Sequence, residues 1–154
     1  MHANILIHRL DMTTIEEDYV SFETAKLLKE KGFEGYSIIT IYDGNAASAY
    51  FKELQEKHLP YSSDDPKLKE FYYTRPTLQM AIKWLRKVHN IHIELNWDKG
   101  NQLYNFSIWK PGKYQPEISS LDLWRIYKDY NYPGEWNYEE AAEEAIQYSL
   151  KNLI

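Results

Sequence analysis

The chain has 154 residues, 44% hydrophobic and 27% charged, with no cysteine and a net charge of −5. Disulfides, thiolate nucleophiles and cysteine-ligated zinc are therefore excluded, and the acidic balance opposes a protein-wide attraction to phosphate backbones or anionic membranes. The 16% aromatic share, with 14 Tyr and 5 Trp, points toward contact surfaces, because tyrosine can cover a core edge while its hydroxyl stays wet.

The opening "MHANILIHRLDM" breaks its apolar run at His8 and Arg9, so it lacks the core of a signal peptide. No apolar stretch of membrane length occurs, and a soluble, cytoplasmic protein without a membrane partner is expected. Residues 3–10 read as a short first strand. Next, "SFETAKLLKEKGF" reads as a helix capped by Ser21, with Phe22, Ala25 and Leu28 on one face and Lys29 and Lys31 in its last turn. Gly32 ends it in the left-handed conformation.

A β-branched strand over 36–42 is closed by Asp43-Gly44, a turn dipeptide. The stretch from Ala49 to Lys57 fits a returning strand or a helix, with helix preferred. "YSSDDPKLKE" (61–70) reads as an exposed loop. Pro76 suits a first helical position, and Leu78, Ala81, Ile82, Leu85 and Val88 form the apolar stripe of a 76–89 helix that Asn90 closes. The period then switches to two: Ile91, Ile93, Leu95 and Trp97 share one strand face. "DKGN" turns the chain into a second strand over 102–109, with Tyr104, Phe106 and Ile108 on one face.

After the "KPGK" turn a third strand is expected near Tyr114. "SLDLWRIYKDY" fits a helix capped by Ser120 or another strand, and Pro133-Gly134 is a turn. The last helix, 138–152, has Asn137 as its cap and Glu140 in capping-box position. Its stripe is Ala142, Ala145, Ile146, Ser149, Leu150 and Leu153. The expected fold is α+β, one domain over 1–154, with an antiparallel sheet covered by two helices in helix–hairpin–helix order. The N-terminal helix and strand add to the 74–154 core or form a small subdomain within 1–60.

Three blocks, "VSFETAKLLKEKGFE", "RPTLQMAIKWLRKVHNIHIEL" and "YEEAAEEAIQYSLKNLI", cover about a third of the chain. In these the chain resembles a group of small proteins encoded by gut bacteria and their phages or prophages. The resemblance implies a mobile-element or phage-associated origin and brings no activity, cofactor or catalytic residue.

The helix–hairpin–helix order also matches that of a double-stranded RNA-binding domain, and Lys83, Arg86 and Lys87 would suit phosphates. Against this, residues 135–154 carry five Glu and one Lys, a net of −4 where that family presents lysines. The 75–92 segment is +4, so the two surfaces predict a charge match inside the protein or between subunits. Protein–protein contact by a non-enzymatic accessory protein, with itself or with a host or phage factor, is the leading expectation. Nucleic-acid binding is the alternative, and a solvated helix face accounts equally for the charges.

His89, His92 and Glu94 do not have the spacing of ligands on one helical face, and His89 reads as a cation partner for a helix C-terminus. Glu16, Glu17 and Asp18 read as a solvated turn. No nucleophile elbow, phosphate loop or metalloprotease helix is present, so no catalytic, cofactor or metal residue is predicted. A contact surface is expected to include Lys83, Arg86, Lys87, Tyr130, Tyr132 and Trp136.

Overall fold

A computed structural model describes residues 17–35, 40–60, 65–122 and 136–154. The fold is α+β. The first helix, α1 (Phe22–Glu30), starts where Ser21 Oγ accepts from the Thr24 amide at 3.1 Å and ends before Gly32 at φ +83°. Strand β1 (Thr40–Tyr42) leads into α2 (Gly44–Glu56). Asp43-Gly44 is therefore no hairpin turn. Asp43 Oδ1 accepts from the Ala46 amide at 3.0 Å, and its other oxygen pairs with Lys26 at 2.8 Å, so the aspartate caps a helix instead.

A 3₁₀ helix, Pro66–Phe71, follows where a loop was expected, capped by Asp65. Asp65 also accepts from Tyr50 Oη at 2.5 Å, which pushes the tyrosine pKa up to about 12 and ties α2 to this turn. Strand β2 (Tyr72–Thr74), which the sequence did not reveal, pairs antiparallel with β1 in the register Thr40↔Thr74 and Tyr42↔Tyr72.

Helix α3 spans Leu78–Val88 with Thr77 as its cap. Pro76 thus precedes the cap: Thr77 Oγ1 accepts from the Met80 amide, while the Pro76 carbonyl accepts from Val20 N at 3.0 Å. Leu78, Ala81, Ile82 and Leu85 are buried as expected. Val88, at the last helical residue, is 60% exposed. Asn90 takes φ +57° and reverses the chain into β3 (His92–Asp98).

β3 pairs antiparallel with β4 (Leu103–Trp109) through seven residue pairs, His92↔Trp109 to Asp98↔Leu103. The short β5 (Ile118–Ser119) extends the sheet on the β4 side. It begins later than expected, and Tyr114 lies fully exposed. Residues 120–122 are helical; the rest of the 120–130 segment, like the 3–10 strand and Pro133-Gly134, lies outside the described residues.

The last helix, α4 (Tyr138–Asn152), carries the complete capping box: Glu140 N donates to Asn137 Oδ1 at 2.8 Å, and Asn137 N donates to Glu140 Oε2 at 3.0 Å. One buried cluster joins Val20, Ala25 and Leu28 of the α1 segment to Leu85 of α3, Phe106 and Ile108 of β4, and Ala142, Ile146 and Leu150 of α4. Helices α3 and α4 both pack on the sheet, and α1 packs on α4.

Candidate functional site

Trp136 is fixed from two directions. Its carbonyl accepts from the Tyr104 amide at 2.9 Å, and its ring stacks on Phe106 with centroids 5.7 Å apart and planes 9° from parallel. Directly after it, Asn137 starts α4. Two depressions meet at this tryptophan.

The first, about 500 Å³, lies between residues 18–21 and the first turns of α4. Glu139, Glu140, Glu143, Glu144 and Asp18 supply carboxylates, and Tyr19, Leu78 and Arg75 complete it. Arg75 is held in place: its Nε donates to the Val20 carbonyl at 2.6 Å and its guanidinium lies 5.8 Å over the Tyr19 ring. Asp18 is exposed, as expected of a solvated residue, and its carbonyl also accepts the first amide of α3, Leu78 N, at 2.9 Å, beside the cleft that Asp18 helps to line.

Burial raises the pKa of Glu144 above the usual 4.5, with Lys151 opposing and Glu143 adding to the rise. An acid whose folded pKa is raised stabilises the fold below its unfolded pKa and loses that contribution as pH rises through the folded value. Glu144→Gln is therefore expected to raise the unfolding temperature at pH 7, with the gain shrinking as pH falls toward 4.5. Thermal melts at the two pH values check this, and a destabilised variant at pH 7 would contradict it.

The second depression, about 430 Å³, sits at the turn end of the β3–β4 hairpin. Among the described residues Trp97, Leu103, Tyr104 and Trp136 line it with Asn101, Gln102 and Asn137. Trp97 is 49% exposed, and its ring lies 5.0 Å from that of Tyr104, tilted by 57°. Tyr104 in turn meets Tyr138 edge-on at 5.3 Å.

Of the residues expected at a contact surface, Trp136 is the one found at this junction. Lys83, Arg86 and Lys87 are exposed along α3 and line neither depression. Tyr130 and Tyr132 lie outside the described residues. Among the described residues Lys83, Arg86 and Lys87 make no ion pair with the α4 glutamates, whereas Arg75, the fourth cation of the 75–92 segment, lines the cleft beside Glu139, Glu140, Glu143 and Glu144. Among the described residues the salt bridges are Lys26–Asp43, Lys57–Glu53 and Lys113–Glu117. Glu143 turns instead toward α1, accepting from the Ser21 amide at 3.1 Å and from the Thr24 hydroxyl.

His89 and His92 do not converge. His89 caps the end of α3, where its surroundings weigh against the charged form expected there. Burial lowers its pKa, Lys31 lowers it further, its Nε2 is buried without a hydrogen-bond partner, and its ring packs 4.5 Å from Trp84. His92 is exposed on β3, and Glu94 accepts from Trp109 Nε1 at 2.9 Å. Among the described residues no three His, Asp or Glu side chains are grouped to hold a metal ion.

Trp97, Tyr104, Asp18 and Arg75 were not expected at a site. Alternation places Trp97 only on one face of β3, and the other three acquire their neighbours only through the fold. No described helix is long and apolar enough to cross a membrane. In comparison with known proteins, no family model, no curated protein and no solved structure matches the chain.

Proposed function

We propose that the protein is a non-enzymatic interaction protein that binds another protein through the surface around Trp136. The observation that supports this reading is the joining of two unlike depressions at one anchored tryptophan, one rich in acidic residues and one lined, among the described residues, by aromatic and neutral ones. Buried aromatic anchors supply most of the energy of protein contacts, and charge complementarity beside them sets orientation and association rate. Carboxylates crowded at the α4 end repel a phosphate backbone but attract lysine or arginine, so the same surface disfavours nucleic acid. With the resemblance to phage-associated proteins and the absence of cysteine, we read the protein as a cytoplasmic accessory factor of a phage or mobile element.

Selection of a random peptide library on the immobilised full chain tests the reading. Enriched peptides are expected to carry Lys or Arg, to bind less tightly as salt rises, and to lose about tenfold in affinity with Glu139→Lys. Failure to enrich any peptide, or enrichment indifferent to Glu139→Lys, would overturn it.

A further inference from the structure

We propose that the outer edge of β3 pairs antiparallel with β3 of a second copy of the chain, joining two three-stranded sheets into one continuous sheet. The inference does not depend on the docking reading, because it concerns the sheet edge opposite β5.

Backbone bonds on β4 fix which groups of β3 face outward. Tyr104 N donates to the Trp136 carbonyl at 2.9 Å, Phe106 N donates to Ser120 Oγ at 3.3 Å, and the Ile108 carbonyl accepts from Glu117 N at 2.7 Å. These three residues therefore turn their backbone groups away from β3. The ladder between the two strands falls to Leu103, Asn105, Ser107 and Trp109, opposite Asp98, Asn96, Glu94 and His92. The alternate residues of β3, Ile93, Leu95 and Trp97, direct their amides and carbonyls to the other side. Among the described residues no strand lies there, since the sheet runs β3–β4–β5. Ile91 gives its amide to the Leu85 carbonyl at 3.1 Å, so the open edge starts at Ile93.

This edge lacks the devices that keep exposed strands apart. β3 runs seven residues in unbroken register with β4 and contains no proline, no lysine and no bulge. His92, Glu94 and Asn96 are exposed. Trp97, on the face that Ile93 and Leu95 turn to the core, keeps 49% of its surface in solvent.

The side chains select both the partner and the register. Two copies can exchange the outward bonds about a twofold axis at Glu94, Leu95 or Asn96; an axis at Ile93 or Trp97 loses pairs to the occupied Ile91 or to the turn. An axis at Glu94 sets that carboxylate opposite its own copy, and an axis at Asn96 sets Glu94 opposite Asp98 of the second copy. Both oppose like charges directly. An axis at Leu95 places Glu94 opposite Asn96 of the second copy and His92 opposite Asp98 of the second copy, so no carboxylate meets another. Leu95 then meets its own copy, and Ile93 meets the half-exposed Trp97 of the second copy on either side of the axis. Each of these outward pairs exchanges two backbone bonds. The contact is isologous and closes at two copies.

Sedimentation velocity of the full chain from about 1 to 500 μM is expected to show a monomer–dimer equilibrium with a dissociation constant of about 10–100 μM. Asn96→Glu opposes carboxylates on both sides of the axis and is expected to weaken association about tenfold. Adding Glu94→Lys to that variant makes both contacts attractive and is expected to restore the dimer, which an axis at Glu94 or Asn96 would not give. Both side chains are exposed, and melting curves at low concentration check that each variant is folded.

Hydrogen exchange reads the edge itself. The amides of Ile93, Leu95 and Trp97 are expected to exchange more slowly as concentration rises, while those of Glu94 and Asn96 stay protected throughout. A monomer up to about 500 μM would overturn the proposal. So would a dimer indifferent to Asn96→Glu, or edge amides protected equally at all concentrations, the result expected if another segment already covers β3.

Discussion

Leu28→Ala is expected to cost about 2–5 kcal/mol of stability and to lower the unfolding temperature by roughly 5–15 °C. Leu28 is fully buried in the cluster that holds Leu85, Phe106, Ile146 and Leu150, so its loss opens a cavity walled by three helices and the sheet. Denaturant unfolding measures the change. A single cooperative transition, shifted as a whole, is the expected form, because α1 shares its core with the C-terminal elements. Leu54→Ala provides the contrast: Leu54 is buried on α2 but lies outside the cluster, and its loss is expected to be smaller. A separate early transition, or a loss below about 1 kcal/mol for Leu28→Ala, would mean that the N-terminal elements fold as a unit of their own.

What the sequence could reveal follows the length of each pattern. Helix α3 was legible because four buried residues recur at helical spacing, and α4 because Asn137 and Glu140 form a capping box before a long stripe. The switch to alternation after Asn90 was legible for the same reason. β1 and β2, at three residues each, are too short to show a period, so the pairing of Thr40–Tyr42 with Tyr72–Thr74 stayed hidden. Asp43-Gly44 has the composition of a turn, and the same aspartate is equally a helix N-cap, here accepting from the Ala46 amide while Lys26, seventeen positions earlier, pairs with its other oxygen.

The site was less legible than the fold. Trp136 could be nominated from aromatic density, but its neighbours come from residues 18–21, Arg75 and the β3–β4 turn, which only tertiary contact assembles. Alternation placed Trp97 on one face of β3, yet Trp97 is 49% exposed there. Five glutamates near one helix start read as a source of attraction to the α3 cations. Glu143 instead found a polar partner on α1, where a hydroxyl and an amide needed an acceptor.

That partnership gives the second large effect. Glu143→Ala removes the acceptor shared by the Ser21 amide and the Thr24 hydroxyl, while Gln147 Nε2 remains within 2.9 Å of the same hydroxyl. Thr24 is fully buried, and the Ser21 hydroxyl at 3.1 Å, already accepting from the Thr24 amide, is the poorer acceptor left to it when the carboxylate is gone. A buried donor left unpaired costs about 1–3 kcal/mol, and the α1–α4 contact is expected to weaken by that order. Glu143→Gln keeps an oxygen acceptor of nearly the same shape and is expected to lose less. Thr24→Val removes the hydroxyl without a large volume change, so combining it with Glu143→Ala is expected to cost less than the two separate losses together. Chemical denaturation of the four proteins closes this cycle. Strict additivity would mean that the carboxylate stabilises the helix pair only through the Ser21 amide, and the α1 start would then depend on its own Ser21 cap more than on α4.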